Sequence, residues 1–228
     1  CNDNNVTFYY NTFATKEIIL KEKPNSIIIA TGGIPNTDIL DEGNEYACST
    51  WDIISGSINI EEDVILFDDN GAYPGLQAAE IIVNKGSKLE IITPERFFSP
   101  ERFFSPEIGG LNHVSYAKKF IENDVTITIN KRLKGITKDG NRLSAIIGSD
   151  YSDKIVNKNA SQIVVEHGTL PNSDLYFDLK KDSKNLGAID YNSIINGKFN
   201  EIIKNQNGNY FLYRVGDAVS SRNIHASI

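Results

Sequence analysis

The stretch Asp68-Asp69-Asn70-Gly71-Ala72-Tyr73-Pro74-Gly75 lies where a nucleotide-binding unit would hold a pyrophosphate, between an apolar run at Val64–Phe67 and a helical pattern. That chemistry needs glycines, so that the backbone can approach the phosphates, and a helix N-terminus aimed at the charge. Aligning Gly75 with the last glycine of G-x-G-x-x-G puts Asn70 and Ala72 at the first two positions. Their side chains fill space that a pyrophosphate needs, and Asp68 and Asp69 add two negative charges beside it. Unit charges ~4 Å apart repel by about 1 kcal/mol in water and several times that near a protein surface. An acid to hold a ribose, expected about 20 residues further on, is not evident. Glu90 falls inside a strand pattern and Glu95 follows Pro94. The turn is expected to keep the shape of a dinucleotide site without binding NAD(P)H in the usual way.

Gly216-Asp217 offers a second arrangement. The strand pattern Tyr210–Val215 runs into this dipeptide, and a helix starting there would present a carboxylate beside free backbone N–H groups. Such an Asp can accept hydrogen bonds from sugar-like hydroxyls while the N–H groups face a phosphate; equally, it can simply cap the helix. Other chemistries find little support. His113, His167 and His225 have no ligand spacing among themselves, and none pairs with a cysteine at a zinc-site interval. His113, at a helix start, reads as structural. Ser99, Ser105, Ser220 and Ser221 lie outside any G-x-S-x-G context, so nucleophilic hydrolysis has no support. Cys1 and Cys48 are too few for a disulfide framework or a multi-cysteine metal site.

The elements that must position these residues are those of an α/β protein, since short apolar runs alternate with helical patterns. Val6–Tyr10 and Glu17–Leu20 read as antiparallel strands. Ser26–Ala30 reads as a fully buried parallel strand ending in Thr31-Gly32-Gly33, and the turn-rich Ile34–Gly43 as a crossing between domains. Val64–Phe67, a helix with Leu76, Ala79, Ile82 and Val83 on one stripe, and Lys88–Ile92 make a β-α-β unit, with Gly86 ending the helix. A second helix over Asn112–Asn123 aligns Val114, Ala117 and Ile121 and precedes a strand at Val125–Ile129. Asp139-Gly140 signals a hairpin turn, and Leu143–Ile147 and Ile163–Val165 supply further strands.

Two internal similarities stand out. Ile27–Asn36 and Ile163–Asn172 share an apolar strand, then Gly, then Pro-Asn three residues later, at a constant offset of 136. They read as the last core strands and exit loops of two homologous nucleotide-binding folds. Glu95–Pro100 and Glu101–Pro106 are both Glu-Arg-Phe-Phe-Ser-Pro; six residues are too few for a solenoid unit, and the pair reads as a local duplication lengthening a surface loop.

The composition bounds the function classes. The 228 residues carry 23 Lys+Arg against 30 Asp+Glu, a net charge of −7, with 40% hydrophobic and 10% aromatic residues. This supports real cores, and the acidic balance disfavours nucleic acid as a partner. No apolar run approaches the ~18 residues of a membrane span, and a cytoplasmic setting is expected. The chain has no methionine and opens at Cys1, so it reads as an internal piece of a longer protein, with removal of a leading segment by processing as the alternative.

In this order, Ala30-Thr31-Gly32-Gly33, the second β-α-β unit, Gly168-x-x-Pro171-Asn172 and Gly216-Asp217-Ala218, the chain resembles the C-terminal half of the trimethylamine dehydrogenase and 2,4-dienoyl-CoA reductase family of flavoproteins. The phrases Asp68–Glu80, Val165–Pro171 and Gly216–Ala226 are similar to the branch that demethylates N-methylated amino acids such as dimethylglycine or N-methylproline. The resemblance implies two glutathione-reductase-like domains. Residues 1–46 and 174–228 would form an incomplete FAD- or ADP-binding domain, and 47–173 an NAD(P)-binding-like insert. By motif, Ala30, Thr31 and Gly32 would line an adenine-nucleotide site, with Gly216 and Asp217 meeting its sugar and pyrophosphate part.

It further implies that FMN, a 4Fe-4S cluster and the small-molecule substrate belong to an N-terminal barrel outside this chain, so that no catalytic residue or metal ligand lies within it. Electrons would pass to another redox protein, and the chain could assemble as a homo-oligomer. Two alternatives remain at this point. One is an NAD(P)H-dependent flavoprotein reductase of the dienoyl-CoA or disulfide-reductase type, and the other is a non-catalytic nucleotide-binding or docking module.

Overall fold

The computed structural model describes residues 6–94, 110–198 and 202–221, the first four of helix Gly110–Glu122 in their backbone alone. Cys1, His225 and the six-residue duplication lie outside the described residues, as does the side chain of His113. The chain divides into two units, 1–34 with 170–228 and 35–169.

In chain order the first elements are α1 (Lys16–Lys21), β1 (Ser26–Ile29), β2 (Gly33–Pro35), β3 (Ala47–Ser49), α2 (Thr50–Ser55), β4 (Asp63–Asp68) and α3 (Tyr73–Asn84). Then come β5 (Lys88–Ile92), α4 (Gly110–Glu122), β6 (Thr126–Thr128), β7 (Arg132–Asp139), β8 (Arg142–Ser149), β9 (Ser152–Ala160) and β10 (Gln162–Glu166). The last are β11 (Thr169–Pro171), α5 (Asp174–Lys180), α6 (Tyr191–Ile195) and β12 (Phe211–Arg214).

The 35–169 unit is built on a parallel sheet of order β3-β10-β4-β5-β6. Alternate residues of its strands face opposite ways. Val64, Leu66, Leu89 and Ile91 pack with Ile53 of α2, Leu76 and Ile82 of α3 and Phe120 of α4. Ile65, Phe67, Ile92 and Ile163 pack instead with Leu133, Ile136, Ala145 and Ile147 of the antiparallel β7-β8-β9 sheet. Helices therefore cover one face and a three-stranded meander the other. The chain moves outward from β4 through β5 to β6, then returns through the meander to β10 on the other side of β4. The strand order thus reverses between β4 and β10, the place where open α/β sheets form a crevice at their carboxyl ends.

The other unit pairs β1 with β12 in parallel, Ile29 opposite Arg214. Ile27, Ile29, Tyr176, Leu179, Tyr210 and Leu212 form its core. Where the chain passes between units, β2 and β11 pair as a two-stranded ladder. The two related loops behave alike: Gly32 and Gly168 both have φ of +71°. The N–H of Asn172 donates to the carbonyl of Gly32 at 3.0 Å, and that of Asn36 to Gly168 at 3.0 Å. The architecture is α/β, two nucleotide-binding-type units with one inserted into the other.

Several local expectations are corrected. Glu17–Leu20 belongs to α1, not to a strand, and Val6–Tyr10 has no regular structure. The Thr15 side chain caps this helix by accepting from the N–H of Ile18, with Glu17 in the first turn and Lys21 in the last, which favours helix over the β-branched preference of Ile18 and Ile19. Strand β1 is half-buried rather than fully buried, because among the described residues its one strand neighbour is β12; Ile28 is 65% exposed. Helix α4 forms, but Val114 and Ile121 face outward, while Phe120 is buried with Tyr116 packed beside it. The larger aromatic pair four residues apart wins the core-facing side. The hairpin turns at Gly140-Asn141, one residue later than expected, with Asp139 opposite Arg142.

Candidate functional site

The continuous apolar run of β4 ends at Asp68, and that of β10 at Glu166, so parallel register places the two acids opposite each other at the reversal point. Both are buried. One carboxylate oxygen of Asp68, Oδ1, accepts the backbone N–H of Asn70 at 3.0 Å and of Gly71 at 2.8 Å. Those N–H groups belong to the turn entering α3, whose first two residues are Tyr73 and Pro74. Glu166 Oε1 accepts from Asn70 Nδ2 at 2.9 Å and from the N–H of Gly168 at 3.0 Å, while Oε2 accepts from the Thr50 hydroxyl. Burial pushes the Asp68 carboxyl up to about 7, the two amides pull it the other way, and the nearby Glu166 and Asp69 add to the rise.

Asp69 joins a second set of partners. His167 Nδ1 lies 2.6 Å from its Oδ1, and Arg132 Nη1 donates to Oδ2 at 3.2 Å. Arg132 also donates to both carboxylate oxygens of Asp150, at 3.2 and 3.1 Å. Its pKa is raised by that bond first, and by Asp69 as well, against the cost of burial. Sequence reasoning missed Glu166, Thr50 and Arg132 as members of this cluster. A charged residue closing an otherwise apolar strand is a signal that could have found Glu166. Arg132 reaches Asp69 across 63 residues, a pairing with no local trace.

In the other unit, register sets the exit loops of β1 and β12 side by side. The N–H of Val215 donates to the carbonyl of Ile29 at 2.9 Å, and Ala30-Thr31-Gly32 and Gly216-Asp217 follow at the same strand ends. Thr31 donates its hydroxyl to the carbonyl of Asn172. Gly32 and Gly216 adopt φ of +71° and +62°, and a Cβ on either would meet nothing within 4 Å. The same open space is found at Gly56, Gly71, Gly86, Gly140 and Gly197, so it reflects surface turns in general. Gly216–Ala218 is a single 3-10 turn rather than the start of an α-helix, so it offers fewer aligned N–H groups than expected. Beneath it, Arg214 donates to the carbonyl of Ala218 at 3.2 Å, and its guanidinium lies 4.7 Å from the centre of the Tyr176 ring. A groove of about 660 Å³ borders Thr31 and Asn172 and is lined by Lys16, Phe177, Asp178 and Lys181.

Among the described residues, no group of His, Cys, Asp and Glu could hold a metal ion, and no helix is long and apolar enough to cross a membrane. The Cys48 thiol donates to the carbonyl of Ile163 at 3.3 Å, and burial pushes it up to about 12.

No protein-family model matches the chain. Over its full length it is 43% identical to the "Probable N-methylproline demethylase" of Rhizobium meliloti (strain 1021), covering 33% of that protein. Over 95% of its length it is 28% identical to the N,N-dimethylglycine/sarcosine dehydrogenase of Chromohalobacter salexigens, covering 32%. The chain is homologous to part of these oxidoreductases. It spans about a third of the length of the curated relatives it matches, and the resemblance to the demethylating branch is borne out.

Among solved structures, 2-naphthoyl-CoA reductase covers the whole chain with a TM-score of 0.70 at 19% identity, the chain covering 29% of it. LpdA of Mycobacterium tuberculosis covers 89% of the chain with a TM-score of 0.59 at 14% identity, the chain covering 39% of it. At these identities the likeness is one of fold alone.

Proposed function

We propose that this chain is the C-terminal, nucleotide-binding and electron-transfer portion of a flavin-dependent oxidoreductase that demethylates an N-methylated amino acid. The observation that carries the reading is the 43% identity to an N-methylproline demethylase over all 228 residues. In that chemistry an N-methyl carbon gives up a hydride equivalent, the iminium takes up water, and formaldehyde leaves with the demethylated amine. A flavin, where bound, accepts the electron pair. This chain's part is to hold an ADP or FAD moiety. Ala30, Thr31 and Gly32 would border the adenosine side, and Gly216 and Asp217 the sugar and pyrophosphate side.

The Ile29–Arg214 register, which brings the two turns to the same end of the β1–β12 pair, supports that assignment. FMN, a 4Fe-4S cluster and the amine site belong, on this reading, to the part of the relatives that the chain does not span. The electron acceptor is a second redox protein.

The test is to purify the full-length polypeptide that contains this chain and supply dimethylglycine, sarcosine and N-methylproline with an artificial electron acceptor. Substrate-dependent reduction of the dye with matching formaldehyde release is the expected result. NADH-dependent reduction of an unsaturated acyl substrate, with no formaldehyde from any amine, would overturn the reading.

A further inference from the structure

We propose that Asp68 is a built-in surrogate for a phosphate, and that with Glu166 it closes the strand-end crevice of the 35–169 unit to dinucleotides. The place is the one where such a sheet receives a pyrophosphate, at the strand-order reversal and the N-terminus of α3, a helix of 12 residues. The backbone N–H groups that would face the phosphate are those of Asn70 and Gly71, and the Asp68 carboxylate already accepts both.

Gly75 marks the same substitution. A Cβ there would stand 2.1 Å from Asp68 Oδ2, so the missing side chain makes room for the chain's own carboxylate. Across the reversal point, the N–H of Gly168 and the side chains of Asn70 and Thr50 are taken by Glu166. Asp69 engages His167 and Arg132. A ligand with two phosphates would have to displace these acids and then sit against their charge.

At the ribose end, the described residues offer no acid that is left to hold a sugar. Strand β5 is followed by Thr93 and Pro94, neither of which is an acid, and Glu95 lies outside the described residues. Glu90, within the strand, is held by Lys158 and by the Thr128 hydroxyl. The residues therefore do not fit NAD(P)H, although the sheet around them has the matching topology. This inference stands independently of the demethylase reading.

The test follows selectively labelled backbone amide resonances in the full-length polypeptide that contains this chain. In the wild type, those of Asn70, Gly71 and Gly168 stay fixed as NADH or NADPH is raised to about millimolar concentration. In Asp68→Ala, inorganic pyrophosphate moves the resonances of Asn70 and Gly71 with an affinity at least about tenfold above that of the wild type. Asp68→Asn, which keeps an acceptor oxygen, behaves as the wild type. A wild-type chain whose Asn70 and Gly71 amides shift with NADH at a dissociation constant below about 100 µM overturns the proposal, as does a folded Asp68→Ala chain that gains no pyrophosphate binding.

Should Asp68→Ala fail to fold, the NADH result on the wild type decides, together with a pH titration of the same amides. Asn70 and Gly71 then report a carboxyl midpoint that is lost in Asp68→Asn. His167 and the carboxylates of Asp69 and Glu166 face the same spot, and the Asn variant separates their titration from that of Asp68. Amides with the same pH profile in both chains would count against it.

Discussion

Asn185 stands beside Leu212 in the role of a neighbouring strand. Its Nδ2 donates to the carbonyl of Leu212 at 2.9 Å, and its Oδ1 accepts the N–H of Leu212 at 2.9 Å. One side chain thus satisfies both backbone groups on the outer edge of β12, and it is fully buried while doing so. Asn185→Ala leaves two buried backbone groups without partners, which is expected to cost about 2–5 kcal/mol. Urea unfolding measures the loss, and hydrogen exchange should show the Leu212 amide as the one most accelerated. A change below about 1 kcal/mol would mean water takes over both bonds.

The clash geometry at Gly75 predicts coupling to Asp68. Gly75→Ala is expected to destabilise the chain by about 1–3 kcal/mol, because the carboxylate opposite is pinned by two N–H groups and cannot retreat freely. In an Asp68→Ala background the same change should cost markedly less. Additivity of the two substitutions within about 0.5 kcal/mol would show that the two sites do not press on each other.

Stability should depend on pH through Asp68. The folded state holds this carboxyl at about 7 against an ordinary 3.8, so it binds the proton more tightly than the unfolded chain does. Between those two values, folded-state stability falls as pH rises, by at most about 4 kcal/mol from this group. Asp182 and Asp190, held below the usual carboxylate range by Lys16 and by Ser193 respectively, act with the opposite sign. Their effect is felt only as pH drops through and below the ordinary carboxylate range. Denaturation midpoints of wild type and Asp68→Asn, compared from mildly acid to neutral pH, isolate the Asp68 contribution as a slope the variant lacks.

Burial of Cys48 predicts chemical inertness. With its thiol pushed up to about 12, very little thiolate exists at pH 8, and the thiolate is the reactive form. In a Cys1→Ser background, alkylation of the native chain should be slow and should become rapid on denaturation. Rapid native-state labelling would show that the β3 edge opens.

The strands Val64–Phe67 and Ile163–Val165 are legible in the sequence because each is apolar on both faces, and both faces of this sheet are covered; Lys88–Ile92 is legible from Leu89, Ile91 and Ile92, although Lys88 and Glu90 interrupt its other face. Ser152–Ala160 is not, because eight of the nine residues of β9 are exposed or half-buried and leave no apolar pattern. Ile18-Ile19-Leu20 misleads in the opposite sense, since three consecutive apolar residues suggest a strand while the Thr15 cap selects a helix. At the candidate site, the acidic character of the turn after β4 is visible in Asp68 and Asp69. That Asp68 folds back onto its own turn, and that Glu166 and Arg132 converge there, depends on strand register and on contacts far apart in sequence.

The paired strands β2 and β11 have an evolutionary consequence. A stretch of chain that leaves and rejoins its host through adjacent ladder strands has its two ends side by side, so it can be spliced in or out at one locus without re-threading either partner.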